Sequence, residues 1–220
     1  MSGRNLPHPR PMKMLLRTFL VGLYALLAAS CSESGSDSKS ELSESEKAEI
    51  SAEGAAVAKS LMMTLSTQLK SAMESGGPEA AMGVCASVAQ PMTGSVSEQH
   101  EKISVSRVSL KNRNPKNAPD PVDSEILENW QAIADAGESL PESEIRFDAE
   151  TGQAVFYKPI QIQAVCLNCH GDKEALKPGV TAVLNEKYPD DKATGYKEGD
   201  LRGAFRVVFE PGSKPLSHTE

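Results

Sequence analysis

Ile50, Val57, Leu61, Leu65, Leu69 and Met73 recur at close to helical spacing, which predicts a long amphipathic helix ending near Gly76-Gly77. Pro78 can open a second helix whose apolar face is Ala81, Val84, Cys85, Val88, Ala89 and Met92, with Pro91 kinking or ending it. The period then changes. Ile103, Val105, Val108 and Leu110 predict a strand whose alternation slips by one at Arg107, the mark of a bulge. Residues 111–121 hold three prolines and three asparagines and predict an extended, irregular stretch. Asp123 is placed to cap a helix running through Ile126, Leu127, Trp130 and Ile133 to a stop at Gly137. Residues 145–147 and 154–157 flank Glu150-Thr151-Gly152 and predict a hairpin, and 203–209 read as a final strand. Helices first, then antiparallel strands with a helix between them, make an α+β domain with a sheet covered on one face.

The N-terminus follows a different pattern. Arg4, Arg10, Lys13 and Arg17 precede an apolar run at 19–29, too short to span a bilayer and laid out as an export signal. The run ends in Leu27-Ala28-Ala29-Ser30-Cys31, which resembles a bacterial lipobox with Ala28 where Leu is commoner. Residues 1–30 are then a lipoprotein signal peptide and Cys31 carries the lipid; the alternative is an ordinary secretory signal cleaved near Ala29 or Ser30. Ser32 resembles the pattern sorted to an outer membrane, which places the protein in the periplasm on a lipid anchor. Residues 31–47 are almost wholly Ser and charged after the cysteine and read as a flexible linker. A single domain at about 48–212 and a tail at 213–220 complete the chain.

Charge narrows the partners. The whole chain carries −7; without the four basic residues of the leader, 19 basic against 30 acidic residues give −11. That balance argues against nucleic acid and against direct binding to anionic lipid, and is compatible with a basic redox or signalling partner.

The chemistry is concentrated at 165–171, where Cys166, Cys169 and His170 form the C-x-x-C-H pattern by which haem c is covalently attached. On a helical turn the i, i+3 and i+4 offsets put both sulfurs and the imidazole on one face. Of four cysteines, one is assigned to lipid and two to haem, which leaves Cys85. It lies on an apolar stripe, so it is either a small buried hydrophobe or a ligand directed into the core. Met82, Met92, His100, His218 and the other methionines are the further candidates for the sixth iron position. His100 sits in a polar stretch and His218 near a fraying tail, and both read as solvated. The methionines compete as His/Met ligands. A Cys3His zinc module is a further alternative, weakened because His170 adjoins Cys169 directly.

Several separated motifs also appear in one order. Residues 107–120, Arg-Val-Ser-Leu-Lys-Asn-Arg-Asn-Pro-Lys-Asn-Ala-Pro-Asp, precede a helix with Leu127 and Trp130; Cys166-Leu167-Asn168-Cys169-His170-Gly171 follows. Then come residues 188–196, Tyr-Pro-Asp-Asp-Lys-Ala-Thr-Gly-Tyr, and Gly199-Asp200-Leu201-Arg202-Gly203. Over about 48–210 the chain resembles the Tll-type family of exported c-haem domains, a domain of unknown function typified by a cyanobacterial protein with a PAS-like fold. The resemblance implies a PAS-like antiparallel sheet with N-terminal helices and one covalently bound haem ligated by a histidine and a cysteine. The histidine maps to His170. The cysteine belongs to the helix before the first strand, where Cys85 stands.

A thiolate ligand favours ferric iron and lowers the potential. The expected function is therefore a low-potential redox or gas sensor, or an electron carrier, without turnover of its own. A peroxidase or reductase needs an open distal site with an acid/base group beside it, whereas a thiolate fills that site. Arg107, Lys111 and Arg113, with Tyr188 and Tyr196, are the candidates for holding the haem propionates, Arg113 first.

Overall fold

Ser43 and Glu46 open the first helix, α1 (Glu44–Ser87), by a reciprocal capping box: each side chain bonds the other's backbone N–H. The computed structural model describes residues 41–213. The leader, Cys31, most of the linker, and residues 214–220 of the tail with His218 lie outside the described residues. Gly76 (φ −155°) and Gly77 (φ 66°) leave helical geometry within α1, and Pro78 restarts it. The predicted break therefore falls at its expected place. A second interruption follows Ser87, and α2 (Ala89–Ser97) continues beyond it. Pro91 has no N–H and its ring crowds the carbonyl four residues back, that of Ser87, so the chain kinks there and resumes.

The sheet has four strands, β1 (Ile103–Val108), β2 (Glu144–Asp148), β3 (Gln153–Gln161) and β4 (Leu201–Phe209), in the order β1-β4-β3-β2. All pairs are antiparallel. Both faces are covered, not one. Val57, Ala58 and Leu61 of α1 pack on Val105, Phe156, Phe205 and Val207. From the other side Ile126, Leu127 and Trp130 of α3 (Pro121–Asp135) meet Val108, Val155, Tyr157 and Val208. Large side chains such as Leu61 and Phe156 each contribute about 1.5–3 kcal/mol when taken out of water.

Two-sided burial also explains the slip at Arg107. Ile103 and Val105 face α1 while Val108 faces α3, and the β1–β4 register runs unbroken from Ile103 opposite Phe209 to Val108 opposite Ala204. No bulge is present there. The irregularity lies between β3 and β4, where Ile160 pairs with Gly203 and Gln161 with Leu201.

Asp120, not Asp123, is the N-cap of α3; Pro121 occupies the first turn and Asp123 reciprocates from the third position. The carboxylate of Asp123 has a second task. Its Oδ1 accepts from the Tyr157 hydroxyl at 2.7 Å and from Arg206 Nε at 2.9 Å, tying α3 to β3 and β4. Burial, then the hydrogen bond to Asp123, pushes the Tyr157 phenol above its ordinary range. Asp123→Ala leaves a buried hydroxyl and a half-buried cation without their partner and removes half of a capping box. It is expected to lower stability by about 3 kcal/mol. A urea midpoint displaced at unchanged slope checks this; a change below about 0.5 kcal/mol would refute it.

Two helices complete the fold. The C-x-x-C-H residues end in a short turn, α4 (Leu167–His170), and α5 (Pro178–Lys187) packs Val180 and Leu184 against Met82 and Leu176. The sequence pattern had not suggested α5, although Pro178 in its first turn and Val180, Val183 and Leu184 were its signals. Among the described residues no helix is long and apolar enough to cross a membrane.

Candidate functional site

Ala164–Cys166 forms a 3-10 turn that runs directly into α4, so Cys166, Cys169 and His170 do lie on one short helical segment. None of the three described cysteines is in a disulfide. The loop after α5 clamps the turn: Gly195 N–H donates to Gly171 O at 2.8 Å and Tyr196 N–H to His170 O at 3.0 Å. His170 Nδ1 is 2.7 Å from Ala193 O. A carbonyl oxygen only accepts, so Nδ1 carries the proton and Nε2 keeps its lone pair. Burial, then the charges of Arg113 and Arg202, pushes the imidazole pKa down to about 3. His170 is thus held neutral and in one tautomer, the form in which a histidine ligates a metal.

Arg113 organises this loop. Its Nε and Nη2 make a fork on Asp191 at 3.0 and 3.2 Å, while Nη2 also reaches Cys169 O at 2.7 Å and Ala193 O at 3.1 Å. Nη1 meets Met82 Sδ at 3.4 Å. The buried guanidinium, expected to face a propionate, is here bonded to the carboxylate and the two carbonyls that place the C-x-x-C-H turn.

Cys85, Cys166 and His170 line one largely apolar cleft of about 280 Å³, with Leu65, Leu69 and Met92 among its walls. Kinked α1 delivers Cys85, and the end of β3 delivers the chain to Cys166. Burial pushes the Cys85 thiol up, opposed by Arg107 and then Arg113. Burial likewise pushes Cys169 up to about 11. Arg107 and Arg202 face the same cleft. Arg202 stood in a sequence motif but not among the expected pocket residues. It is the extra residue of the β3–β4 bulge, and Gly203 behind it has φ 150° with no room for a Cβ, which would stand 2.3 Å from Val108 O. An arginine followed by glycine inside a strand was the available signal.

The remaining candidates separate. Tyr188 donates its hydroxyl to Cys85 O at 3.4 Å, and Tyr196 stands edge-on to His170 with ring centroids 6.2 Å apart. Lys111 donates to Thr194 O at 2.8 Å and lies over the Tyr196 ring. Met92 lines the cleft, whereas Met82 is buried against Leu176, Val180 and Leu184. His100 is not solvated: its Nδ1 lies 3.6 Å from the buried Glu53 carboxylate, away from the residues of the cleft. Among the described residues no three His, Cys, Asp or Glu side chains converge to hold one metal ion.

Comparison with known proteins gives the family. The model of the Tll0287-like family, described as Tll0287, matches residues 38–209, and the chain belongs to that family. Among solved structures, the crystal structure of the cyanobacterial heme-protein Tll0287 matches with a TM-score of 0.55 and 24% identity, over 79% of this chain and 99% of that one. At that identity the likeness establishes a common fold. No curated protein matches the chain.

Proposed function

We propose that this member of the Tll0287-like family is an exported c-type haem protein in which Cys166 and Cys169 carry haem c and His170 and Cys85 are the axial ligands. The observation that carries the reading is the meeting, in one apolar cleft, of Cys85 with a C-x-x-C-H turn whose imidazole is locked by its Nδ1–H bond. The description of the solved structure as a heme-protein supports it. So does the donor set: two thiols and a neutral imidazole on one turn, a third thiol lining the same cleft as Cys166 and His170, and a buried arginine nitrogen, Arg107 Nε, with no partner.

When bound, the haem supplies one-electron chemistry. The residues decide how it is used. As its ligand, a Cys85 thiolate would donate electron density and offset the ferric charge, which would set a low potential. Were the haem bound and reduced, that attraction would weaken, and Cys85 would be the residue whose release could open a position for a small gas. The protein then serves as a redox or gas sensor, or as a low-potential electron carrier, for a partner redox or signalling protein, with no catalytic residue of its own. Its acidic surplus suits a basic partner better than nucleic acid.

The deciding experiment is the optical spectrum, oxidised and then reduced, of protein matured in an exporting host. A covalent c-type haem with ferric thiolate features that change on reduction is the expected result. Protein without haem overturns the proposal, and a His/Met spectrum transfers the sixth position to Met92. In the same host Cys31→Ala is expected to move the protein from the membrane fraction, the outer membrane in this reading, to the soluble periplasm with haem content unchanged. Persistent membrane attachment would dismiss Cys31 as the lipidation site.

A further inference from the structure

Two arginines in the cleft stand apart from the other paired arginines of the fold. Arg113 pairs with Asp191, Arg146 with Glu125 and Glu144, and Arg206 with Asp120 and Asp123. Arg107 and Arg202 meet neutral acceptors instead. Arg107 Nη2 reaches Thr93 Oγ1 at 3.5 Å, and its buried Nε has no hydrogen-bond partner. Arg202 Nη1 donates to Ser109 Oγ at 2.7 Å and to Lys111 O at 3.1 Å. Burial lowers the pKa of both; the Arg202 charge adds to this at Arg107, and at Arg202 the Arg113 charge adds to it while Tyr196 and then Asp191 oppose it. Among the described residues lining the cleft there is no Asp or Glu. Partly buried cations with no carboxylate in hydrogen-bond contact are costly, and a guanidinium fork matches a carboxylate.

From this geometry we infer that Arg107 and Arg202 form a two-cation seat for the two propionate carboxylates of the cofactor, one arginine to each, the β3–β4 bulge being the device that turns the second cation into the cleft. The inference rests on the haem reading above. It moves the carboxylate partners from Arg113, which is spent on the C-x-x-C-H loop, to a pair in which Arg202 is new. The rival anion for Arg107 is Cys85 in its ionised form, which lines the same cleft.

The test uses matured holoprotein carrying Arg107→Gln, Arg202→Gln, both together, and the corresponding lysine variants. Covalent haem content is read first, then the reduction potential across pH. Haem content is expected to stay at the wild-type level, because cysteines make the attachment. The potential should fall in each glutamine variant and fall further in the double, since a cation that disfavours ferric iron has gone, and lysine should restore most of it. An unpaired carboxylate also returns toward its ordinary pKa of about 4–5, so in the glutamine variants the potential should rise as pH drops through that range. Potentials and pH profiles that coincide with wild type in both glutamine variants overturn the seat alone. Loss of ferric thiolate features in Arg107→Gln, with an unchanged pH profile, assigns Arg107 to Cys85 and overturns the one-to-each pairing. A wild-type chain that matures without haem overturns both the seat and the haem reading.

Discussion

A chain carrying Cys166→Ala and Cys169→Ala together is expected to lose all acid-stable haem while keeping its fold. Each cysteine packs only at the margin of a small apolar cluster, Cys166 beside Ile162, Ala193 and Tyr196, and Cys169 beside Met82, Val180 and Leu184. Trading a half-buried thiol for a methyl group costs on the order of 1 kcal/mol at such a site. The turn itself does not depend on the sulfurs. Its carbonyls at Cys169, His170 and Gly171 are held by Arg113, Tyr196 N–H and Gly195 N–H, and all three acceptors survive in the double variant. His170 keeps its bond to Ala193 as well. Any pigment that remains should therefore be extractable by acidified solvent, and each single variant should retain attachment through the other cysteine. Acid-stable haem in the double variant would remove Cys166 and Cys169 from the attachment chemistry. Parallel thermal melts separate a failure to attach from a failure to fold.

How legible this was depended on the range of the signal. Gly76-Gly77 with Pro78, the Glu150-Thr151-Gly152 turn and the stop at Gly137 act within a few residues, and each element boundary lies where its residues place it. The C-x-x-C-H turn is local in the same sense. What escaped was set by contacts far apart in the chain. The slip at Arg107 looked like a bulge because a strand buried on both faces has no clean alternation. The actual bulge, at Arg202, arises only when β3 and β4 find their register across some forty residues of intervening chain. Arg113 reaches Asp191 across 78 positions, which no local pattern announces. His100 read as solvated because its neighbours in sequence are polar, while its neighbour in space is Glu53. Cys85 was ambiguous between packing and ligation from its spacing. Its place in the cleft with His170 depends on how α1, broken at Gly76 and Gly77, packs against distant parts of the chain, which no local pattern announces.

The ligand assignment gives the second large effect. Cys85→Ala in the matured protein should remove the thiolate features from the ferric spectrum, shift the iron toward high spin or water ligation, and raise the reduction potential because negative charge beside the iron is gone. The fold should tolerate the change. Cys85 is only half-buried, and the contact that Tyr188 makes there is to its backbone oxygen, which alanine keeps. Cys85→Met asks a separate question, whether the cleft admits a thioether at this point of α1; His/Met ligation there would raise the potential further. An unchanged ferric spectrum and potential in Cys85→Ala would take the cysteine out of the coordination sphere. The structure then leaves one methionine to examine first. Met82 is buried in the cluster under α5 with its sulfur against Arg113 Nη1, whereas Met92 lines the cleft together with His170. Loss of the sixth ligand in Met92→Ala, with Cys85→Ala silent, would make this a His/Met cytochrome built for electron transfer, and a thiolate-based sensing role would fall with the thiolate.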